Sequence, residues 1–252
     1  MKKIVSVVVI AIVLMQAGCL PMKAKLDQLW FYTYNTSVVF DDDIKLTPAN
    51  FINLQSDGSY TKDFGAFDYG HWKKEDSLLV LRSISGQTIS FPIKHFFGNE
   101  LQLTSPKGTT LSFEGQPGKF SSAAENPFSI ENNQWRIPAT KKETEQELKD
   151  RLRNHCRFYE IYFKWALDNH LESVDVRSTP SLIKIYGNGF SLKKFEDLPA
   201  EWRSYFYNED DCRRANDIIK DLFDKKDIAW AHTDNRFKMF ISAFQQLQEQ
   251  LK

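Results

Sequence analysis

The amino-acid sequence predicts an α+β protein in which an N-terminal antiparallel β-barrel is followed by a small, mainly helical domain. Up to about residue 115 the chain consists of short apolar and aromatic runs separated by turn residues. A segment rich in Gly, Pro and Ser at residues 115–122 then interrupts this pattern. From residue 140 onward, apolar residues recur at helical spacing.

Nine runs in the first half have strand character, because β-branched, aromatic and aliphatic residues cluster or alternate in them. They are residues 29–34, 37–40, 50–55, 59–62, 67–73, 78–84, 88–94, 101–104 and 110–113. Turn signals such as Asp57-Gly58 and Gly98-Asn99 separate them, and connections this short leave no room for crossover helices. About eight such strands close into a small barrel, whose interior is either packed with side chains or holds one small ligand.

Helical signals dominate the second half. Thr140 and Glu143 fit a capping box, and an apolar stripe follows from Leu148 to Leu167. A second helix is expected after Asn208, where three acidic residues make a favourable first turn. A third is expected to begin near Asn235, with its phenylalanines on one face.

Between the first two of these helices, two smaller elements are predicted. Pro199 is expected to open a short helix that carries Trp202 and Tyr205. Residues 181–192, around Gly187-Asn188-Gly189, are expected to form a β-hairpin, because two glycines flanking Asn favour a tight reversal.

The first nineteen residues have the order of an export signal. Lys2 and Lys3 precede an apolar run at residues 4–15, and small residues precede Cys19. Ala17-Gly18-Cys19 resembles the lipobox of bacterial lipoproteins, although Gln16 stands where that motif usually has an aliphatic residue. The resemblance implies cleavage before Cys19 and acylation of its thiol. The apolar run falls short of the roughly 20 residues that span a bilayer.

The first half also carries motifs of a known family. Residues 54–60 (LQSDGSY), residues 70–74 (GHWKK) and residues 76–81 (DSLLVL) follow in order, and Trp30 opens the first strand. This progression resembles that of bacterial lipocalin-like-domain lipoproteins over residues 26–116. The resemblance implies an extracytoplasmic β-barrel and brings no catalytic residues with it. The expected organisation is therefore a signal peptide at 1–18, a tether at 19–25, the barrel at 26–116, a linker at 117–139 and the helical domain at 140–252.

Charge and cysteine content narrow the functional classes. Without Lys2 and Lys3 the 33 basic residues become 31, against 33 acidic ones. A near-neutral chain lacks the basic surface on which nucleic-acid binding depends. Cys156 and Cys212 either pair as a disulfide in an oxidising envelope or are two buried thiols.

The histidines lack the spacing of a metal site on one helix face. They are His71, His95, His155, His170 and His232. No pair among them is three or four residues apart, which is the spacing that places two ligands side by side on a helix. No metal, cofactor or catalytic residue is predicted.

Aromatic residues in the second half are the candidates for a binding site. Tyr162, Trp165, Trp202 and Tyr205 belong to an aromatic surplus that forms either the core and the contact with the barrel or a groove for a ligand.

The sequence favours a lipid-anchored, non-catalytic binding protein of the bacterial envelope. We expect it on the periplasm-facing outer membrane, with an apolar small molecule, a glycan, a peptide or an envelope protein as its partner. A structural or immunity-type partner protein is the alternative, and an envelope hydrolase is a third class.

Overall fold

A computed structural model describes residues 25–33, 39–41, 44–46, 50–116, 120, 122–170, 198–224 and 235–252. Its strands are β1 (Leu29–Tyr32), β2 (Val39–Asp41), β3 (Ile44–Lys45), β4 (Phe51–Leu54), β5 (Ser59–Asp63), β6 (Phe67–Glu75), β7 (Leu78–Ser83), β8 (Thr88–Phe97), β9 (Glu100–Thr104) and β10 (Thr110–Gln116). Two 3-10 helices follow at Ala123–Glu125 and Glu131–Arg136. The α-helices are α1 (Glu145–Asp168), α2 (Ala200–Ser204), α3 (Glu209–Asp224) and α4 (Arg236–Gln250).

Eight of the strands form a closed antiparallel barrel, as the sequence predicts. Their order around the barrel is β1, β10, β9, β8, β7, β6, β5 and β4. β1 closes it by pairing with β10 on one side and β4 on the other. The run at residues 37–40 is not part of the barrel, because its described part belongs to β2, which pairs with β3 in a separate two-stranded sheet.

The interior of the barrel is filled by its own side chains. Strand alternation turns every second residue inward, so that Trp30 and Tyr32 of β1 point inside while Leu29 and Phe31 point outside. Phe64 stacks on Phe113 at 5.6 Å between ring centroids, and both rings are about 2% exposed. Of the two interiors that the sequence allows, the structure has the packed one.

The two ends of the barrel are distinguished by their turns. At what we call the proximal end, the chain enters at Lys25 and reverses at residues 55–58, 76–77 and 98–99. At the distal end it reverses at residues 64–66, 84–87 and 105–109. Leu26 covers the proximal end, where its carbonyl oxygen accepts a hydrogen bond from Trp30 Nε1 at 2.9 Å.

The residues that carry the family resemblance have structural roles. Gly58 has φ +84°, and the Asp57 carboxylate accepts hydrogen bonds from the backbone and the hydroxyl of Ser59. Gly70 lies so close to β7 that a Cβ there would approach the Arg82 carbonyl oxygen to 2.1 Å. Trp72 Nε1 donates to the Gln55 carbonyl across the proximal end at 2.8 Å. These motifs therefore shape turns and packing.

The helical part is organised around α1, which packs against α3, α4 and the 3-10 helix Glu131–Arg136. The start of α1 differs from the prediction. Its capping box is formed by Thr144 and Glu147, four residues after the predicted one. Glu143 instead is buried and accepts a hydrogen bond from Arg151 Nε at 2.9 Å, because Arg151 reaches back from the second turn of the helix.

The other helix boundaries agree with the sequence. Asn235 caps α4 by accepting from the backbone of Phe237 and Lys238, and Asn208 Oδ1 accepts from the Asp211 backbone at the start of α3. α2 begins directly after Pro199. The predicted hairpin at residues 181–192 lies outside the described residues.

The outer face of the barrel and the helices share a hydrophobic core that is separate from the one inside the barrel. Leu29, Phe31 and Phe51 on the outer face of β1 and β4 belong to the same cluster as α1, α3 and α4. Phe128, in the segment predicted as a linker, is the central ring of this contact, 4.8 Å from Phe51 and 5.0 Å from Trp165. Residues 122–136 thus fill the space between the two parts of the molecule, which a breaker-rich sequence does not indicate.

Candidate functional site

All four aromatic residues proposed as a binding surface are buried. The exposed fractions are 4% for Tyr162, 6% for Trp165, 3% for Trp202 and 5% for Tyr205. They form two separate pairs, with ring centroids 5.9 Å apart in Tyr162–Trp165 and 6.4 Å apart in Trp202–Tyr205. A side chain this deeply buried presents no surface to a partner, so the binding-surface interpretation is corrected in favour of a core.

Each pair packs against an aromatic ring from another part of the chain. Trp165 stacks on Phe31 of β1 at 6.0 Å, so this pair holds α1 against the barrel. Trp202 and Tyr205 pack around Trp135, whose ring centroid lies 6.3 and 5.4 Å from theirs. The aromatic surplus is used to join the two halves of the protein, because rings bury large areas at little cost in side-chain entropy.

The two cysteines of the helical part do not form a disulfide. Cys156 lies on α1 and Cys212 on α3, and both thiols are buried in the shared core. Burial raises the pKa of Cys212 to about 12, which keeps this thiol protonated and unreactive at neutral pH. The alternative of two buried thiols is the one that the structure has. The predicted acylation site, Cys19, lies outside the described residues.

A buried ion pair joins the barrel to the helical part. Arg136 Nη1 lies 2.5 Å from Asp63 Oδ2, and the two side chains are 8% and 12% exposed. The guanidinium also lies over the ring of Trp135 at 4.8 Å and that of Phe158 at 5.2 Å. Aromatic faces attract a cation and shield it from water. Arg136 Nε is buried and has no hydrogen-bond partner among the residues that the structure describes.

Glu201 extends this pair to α2. Its Oε1 lies 3.8 Å from Arg136 Nη1 and accepts a hydrogen bond from the Tyr205 hydroxyl. Burial, and then the charge of Asp63, raise the pKa of Glu201, and the attraction of Arg136 does not fully offset them. Two carboxylates therefore compete for one guanidinium, and Glu201 is the one at the solvent side, with 45% of its side chain exposed.

The neighbouring His155 is neutral. Its imidazole is enclosed by Trp135 and Trp202, with ring centroids 4.3 and 4.6 Å away. Burial, and then the charge of Arg136, hold the pKa of His155 well below its ordinary value. A neutral histidine fits a cluster that already contains a buried cation.

A second polar cluster lies inside the barrel. Asp68 accepts hydrogen bonds from the Tyr60 hydroxyl at 2.7 Å and from the Ser83 hydroxyl at 2.6 Å, and its carboxylate lies 3.2 Å from Lys62 Nζ. Burial alone would raise the pKa of Asp68, but the Ser83 hydrogen bond and the Lys62 charge outweigh it and lower the pKa. Both carboxylate oxygens are thus engaged by neighbouring strands, which indicates a structural role.

A groove on the outer face of β9 and β10 forms a solvent-facing cavity in the described part of the chain. It encloses about 380 Å³ and its polar lining residues are Thr33, Asn99, Glu100, Gln102, Ser112 and Glu114. The strand register explains this lining. Glu100 lies opposite Glu114, and Gln102 lies opposite Ser112 on the same outward face.

The groove offers both donors and acceptors. Asn99 Nδ2 donates to Glu114 Oε1 at 3.5 Å, and Glu100 Oε2 lies 3.8 Å from His95 Nε2. Two carboxylates, two amides and two hydroxyls line one concave surface. This surface can hydrogen-bond a polar ligand along its length, and it is the candidate binding site.

The sequence does not predict the groove, the polar cluster inside the barrel or the ion pair between Asp63 and Arg136. One signal was available for the internal cluster, because Tyr60 and Lys62 alternate on the inward side of β5, where a lysine requires a partner. Asp63 and Arg136 are 73 positions apart, so no local pattern connects them.

The described ranges contain neither a cluster of side chains suited to a metal ion nor a helix suited to cross a membrane. No three His, Cys, Asp or Glu side chains there are grouped so that they could hold a metal ion. None of the helices in these ranges combines the length and the apolar character that crossing a membrane requires.

The fold defines the protein as an α+β protein with a closed, filled eight-stranded barrel joined to a helical bundle. Comparison with protein-family models gives no match to the chain, and comparison with curated proteins finds no significantly similar sequence.

Proposed function

We propose that this protein is a lipid-anchored binding protein of the bacterial cell envelope, with a lipocalin-like barrel as its scaffold and no catalytic activity. The anchor is Cys19, expected on the periplasm-facing outer membrane. The ligand binds on the outside of the barrel, in the groove between Thr33 and Glu114.

The observation that carries this proposal is the filled barrel. Trp30, Phe91 and Leu103 are fully buried inside it, and Phe64 closes the distal side of the interior. A ligand in the interior would have to displace close-packed side chains. Burial of a single phenylalanine or leucine side chain stabilises the fold by about 1.5–3 kcal/mol, and this stabilisation would be lost. Binding on the outer surface requires no such displacement.

The charged clusters support a non-catalytic function. Asp63 is held by Arg136, and Asp68 is held by Lys62, Tyr60 and Ser83. An acid or base catalyst needs a proton-transfer group within reach of a substrate. In both clusters the carboxylates are instead turned toward internal partners, as in structural networks.

The polar side chains that line the groove favour a polar ligand over an apolar small molecule. Gln102 and Asn99 present amides, and Glu100 and Glu114 present carboxylates. Burying these groups against an apolar molecule would leave them without hydrogen bonds, which costs about 1–3 kcal/mol each. A glycan or a peptide therefore fits the groove better than an apolar small molecule.

Filling the groove tests the proposal. Gln102→Trp places an indole in the middle of the groove, and Ser90→Trp places the same ring on the exposed outer face of β8, where Ser90 lies opposite Val80. The soluble form of each variant, residues 20–252, is incubated with an envelope extract, purified again, denatured and searched by mass spectrometry for bound molecules. We expect the ligand to be lost from Gln102→Trp and retained by Ser90→Trp.

A photo-crosslinking amino acid at position 102, with position 90 as control, extends the test to protein partners. Adducts that form at 102 and not at 90 support the groove. A ligand retained by Gln102→Trp, or equal crosslinking at both positions, would show that the groove is not the binding site.

A further inference from the structure

Among the described residues, a large apolar side chain is exposed at the proximal end of the barrel, the end at which the chain enters. Phe97 is 69% exposed at the tip of the β8–β9 hairpin, where Gly98 has φ +60°. The next residue along this turn, Asn99, accepts a hydrogen bond from the Gly115 backbone at 2.7 Å, and Gly115 lies opposite Trp30. The exposed ring, on β8, is thus three strands away from β1, the strand that follows the tether.

The length of the tether restricts how far this end can lie from a membrane. The chain advances by six residues from Cys19 to Lys25. A fully extended chain spans at most about 3.3–3.6 Å per residue, so they reach roughly 20 Å. An acylated Cys19 therefore holds the proximal end, and not the distal end, next to the lipid.

We infer that the proximal end rests on the surface of a zwitterionic bilayer, with the Phe97 ring at the boundary between headgroups and acyl chains. This inference rests on the lipid anchor of the proposed function and adds the orientation of the barrel to it. An aromatic ring is suited to that boundary, where apolar side chains are buried a few ångströms below the headgroups.

The charges at this end select the kind of lipid. The exposed cations there are Lys25, Lys73 and Lys74, whereas the exposed carboxylates are Asp57, Glu75, Asp76, Glu100 and Glu114. The carboxylates outnumber the cations in the described part of the chain, so an anionic surface repels this end. Zwitterionic headgroups with an exposed ammonium group offer a partner to the exposed carboxylates of Glu75 and Asp76, at the turn between β6 and β7, where β7 is the neighbour of β8.

The contact does not need to be strong by itself. Once the anchor is inserted, the ring meets the membrane as an intramolecular event, at a high effective concentration. A single ring can then fix the orientation of a barrel that is already tethered.

The distal end provides a matched control for a test. Ile84 is 68% exposed in the turn at residues 84–87, close to the 69% of Phe97 but at the opposite end of the barrel. Phe97→Trp and Ile84→Trp thus place the same reporter at two positions of equal exposure. Cys156 and Cys212 are buried, so a maleimide lipid couples to Cys19 in the folded chain from residue 19.

The lipid-coupled variants are reconstituted in phosphatidylethanolamine–phosphatidylcholine vesicles whose acyl chains carry bromine, which quenches tryptophan on contact. We expect a loss of fluorescence in Phe97→Trp beyond that of the parent protein, and no additional loss in Ile84→Trp. Replacing a third of the lipid by phosphatidylglycerol is expected to reduce the quenching at position 97.

Equal quenching at both positions, or stronger quenching at 84, would overturn the orientation. Quenching at 97 that is unchanged by phosphatidylglycerol would overturn the choice of lipid. Because the lipid is attached chemically, these outcomes do not depend on whether cells acylate Cys19. Failure of the anchor itself is detected separately, by metabolic labelling of Cys19.

Discussion

Arg136 and Asp63 form a buried ion pair between the 3-10 helix Glu131–Arg136 and strand β5, with Nη1 and Oδ2 2.5 Å apart. Asp63 is further held by the backbone N–H of Gly65 at 3.1 Å and by Asn50 Nδ2 at 3.4 Å. This pair connects the last turn before the helical bundle to the barrel. Asp63 is the closer of the two carboxylates at this guanidinium, since Glu201 lies 3.8 Å away, so the contribution of the pair depends chiefly on Asp63.

Removing that carboxylate is expected to destabilise the protein strongly. Asp63→Asn leaves the Arg136 cation buried without a full counter-charge, and breaking a buried pair in this way typically costs about 3–5 kcal/mol. Urea unfolding followed by circular dichroism measures the loss. Lys73→Gln is the control, because Lys73 and Glu75 are 65% and 50% exposed and their ion pair is expected to contribute only about 0–1 kcal/mol. Equal effects of the two substitutions would contradict the role of the pair.

The contribution of Glu201 to the stability of the protein is expected to be greatest in acid. Its pKa is raised above the ordinary 4.5, first by burial and then by Asp63, so the folded state binds this proton more tightly than the unfolded chain. The stabilisation is fully present below pH 4.5 and is lost as the pH rises through the raised pKa. Glu201→Gln mimics the protonated form. It should therefore be more stable than the parent at pH 7, with the difference vanishing below pH 4.5.

Asp68 provides the opposite pH dependence as a control. Its pKa is lowered from 3.8, so its contribution is present above pH 3.8 and is lost as the pH falls through the lowered pKa. Asp68→Asn should be less stable than the parent at pH 7. Thermal melts of the parent and both variants from pH 3 to 8 measure these differences. A Glu201→Gln variant that is less stable than the parent at pH 7 would contradict the assigned direction.

Substitution of Tyr205 is expected to destabilise the protein much more than substitution of Tyr207, because Tyr205 lies in the core and Tyr207 lies at the surface. Tyr205 is 5% exposed and packs on Trp135, whereas Tyr207, two residues later, is 51% exposed. Tyr205→Ala is expected to cost about 3–5 kcal/mol, as for other large buried aromatics. Tyr207→Ala should stay within about 0.5 kcal/mol of the parent. Chemical unfolding of both measures the difference, and near-neutral behaviour of Tyr205→Ala would restore this residue as a candidate for binding.

Gly70 is expected to be irreplaceable even by alanine. A Cβ at this position would lie 2.1 Å from the Arg82 carbonyl oxygen, so β6 and β7 must separate. Gly115 is the matched control in β10, where the nearest atom to a Cβ is the end of the flexible Gln28 side chain at 2.6 Å. Gly70→Ala should lower the melting temperature much more than Gly115→Ala. Similar shifts in differential scanning fluorimetry would show that the close approach of β6 and β7 is not required.

Cys19 is expected to carry the lipid. Growth with a clickable fatty acid should label the parent protein and leave Cys19→Ser unlabelled, since the Ser hydroxyl lacks the nucleophilic thiolate. In-gel fluorescence after click coupling measures the label. Cys156→Ser is the control that keeps the anchor. Equal labelling of the parent and Cys19→Ser would exclude acylation at this position.

The strands could be predicted because their information is local. Alternation in Ile89, Phe91 and Ile93, and turns such as Asp57-Gly58, indicate both the strands and the order in which neighbours pair. The capping box of α1 lies four residues after the predicted position, because the local sequence offers two equivalent candidates. Thr140 and Thr144 are both followed by Glu three residues later, so only tertiary contacts, such as that of Glu143 with Arg151, decide between them.

The candidate sites could not be predicted because their information is not local. The groove depends on Glu100 and Glu114 meeting across two strands, which follows from register and not from either segment alone. The burial of Trp165 depends on Phe31, more than a hundred residues earlier in the chain. Composition shows that such rings are abundant, but not which of them become interior.

The pairing of β1 with both β10 and β4 has a consequence for the behaviour of the protein at high concentration. Each of the eight barrel strands is paired with a neighbouring strand on both sides. A sheet edge is where a second chain can add a strand and begin a fibre, and a closed ladder presents no such edge. The barrel is therefore suited to a crowded compartment, where encounters between copies are frequent and an unpaired strand would lead to self-association.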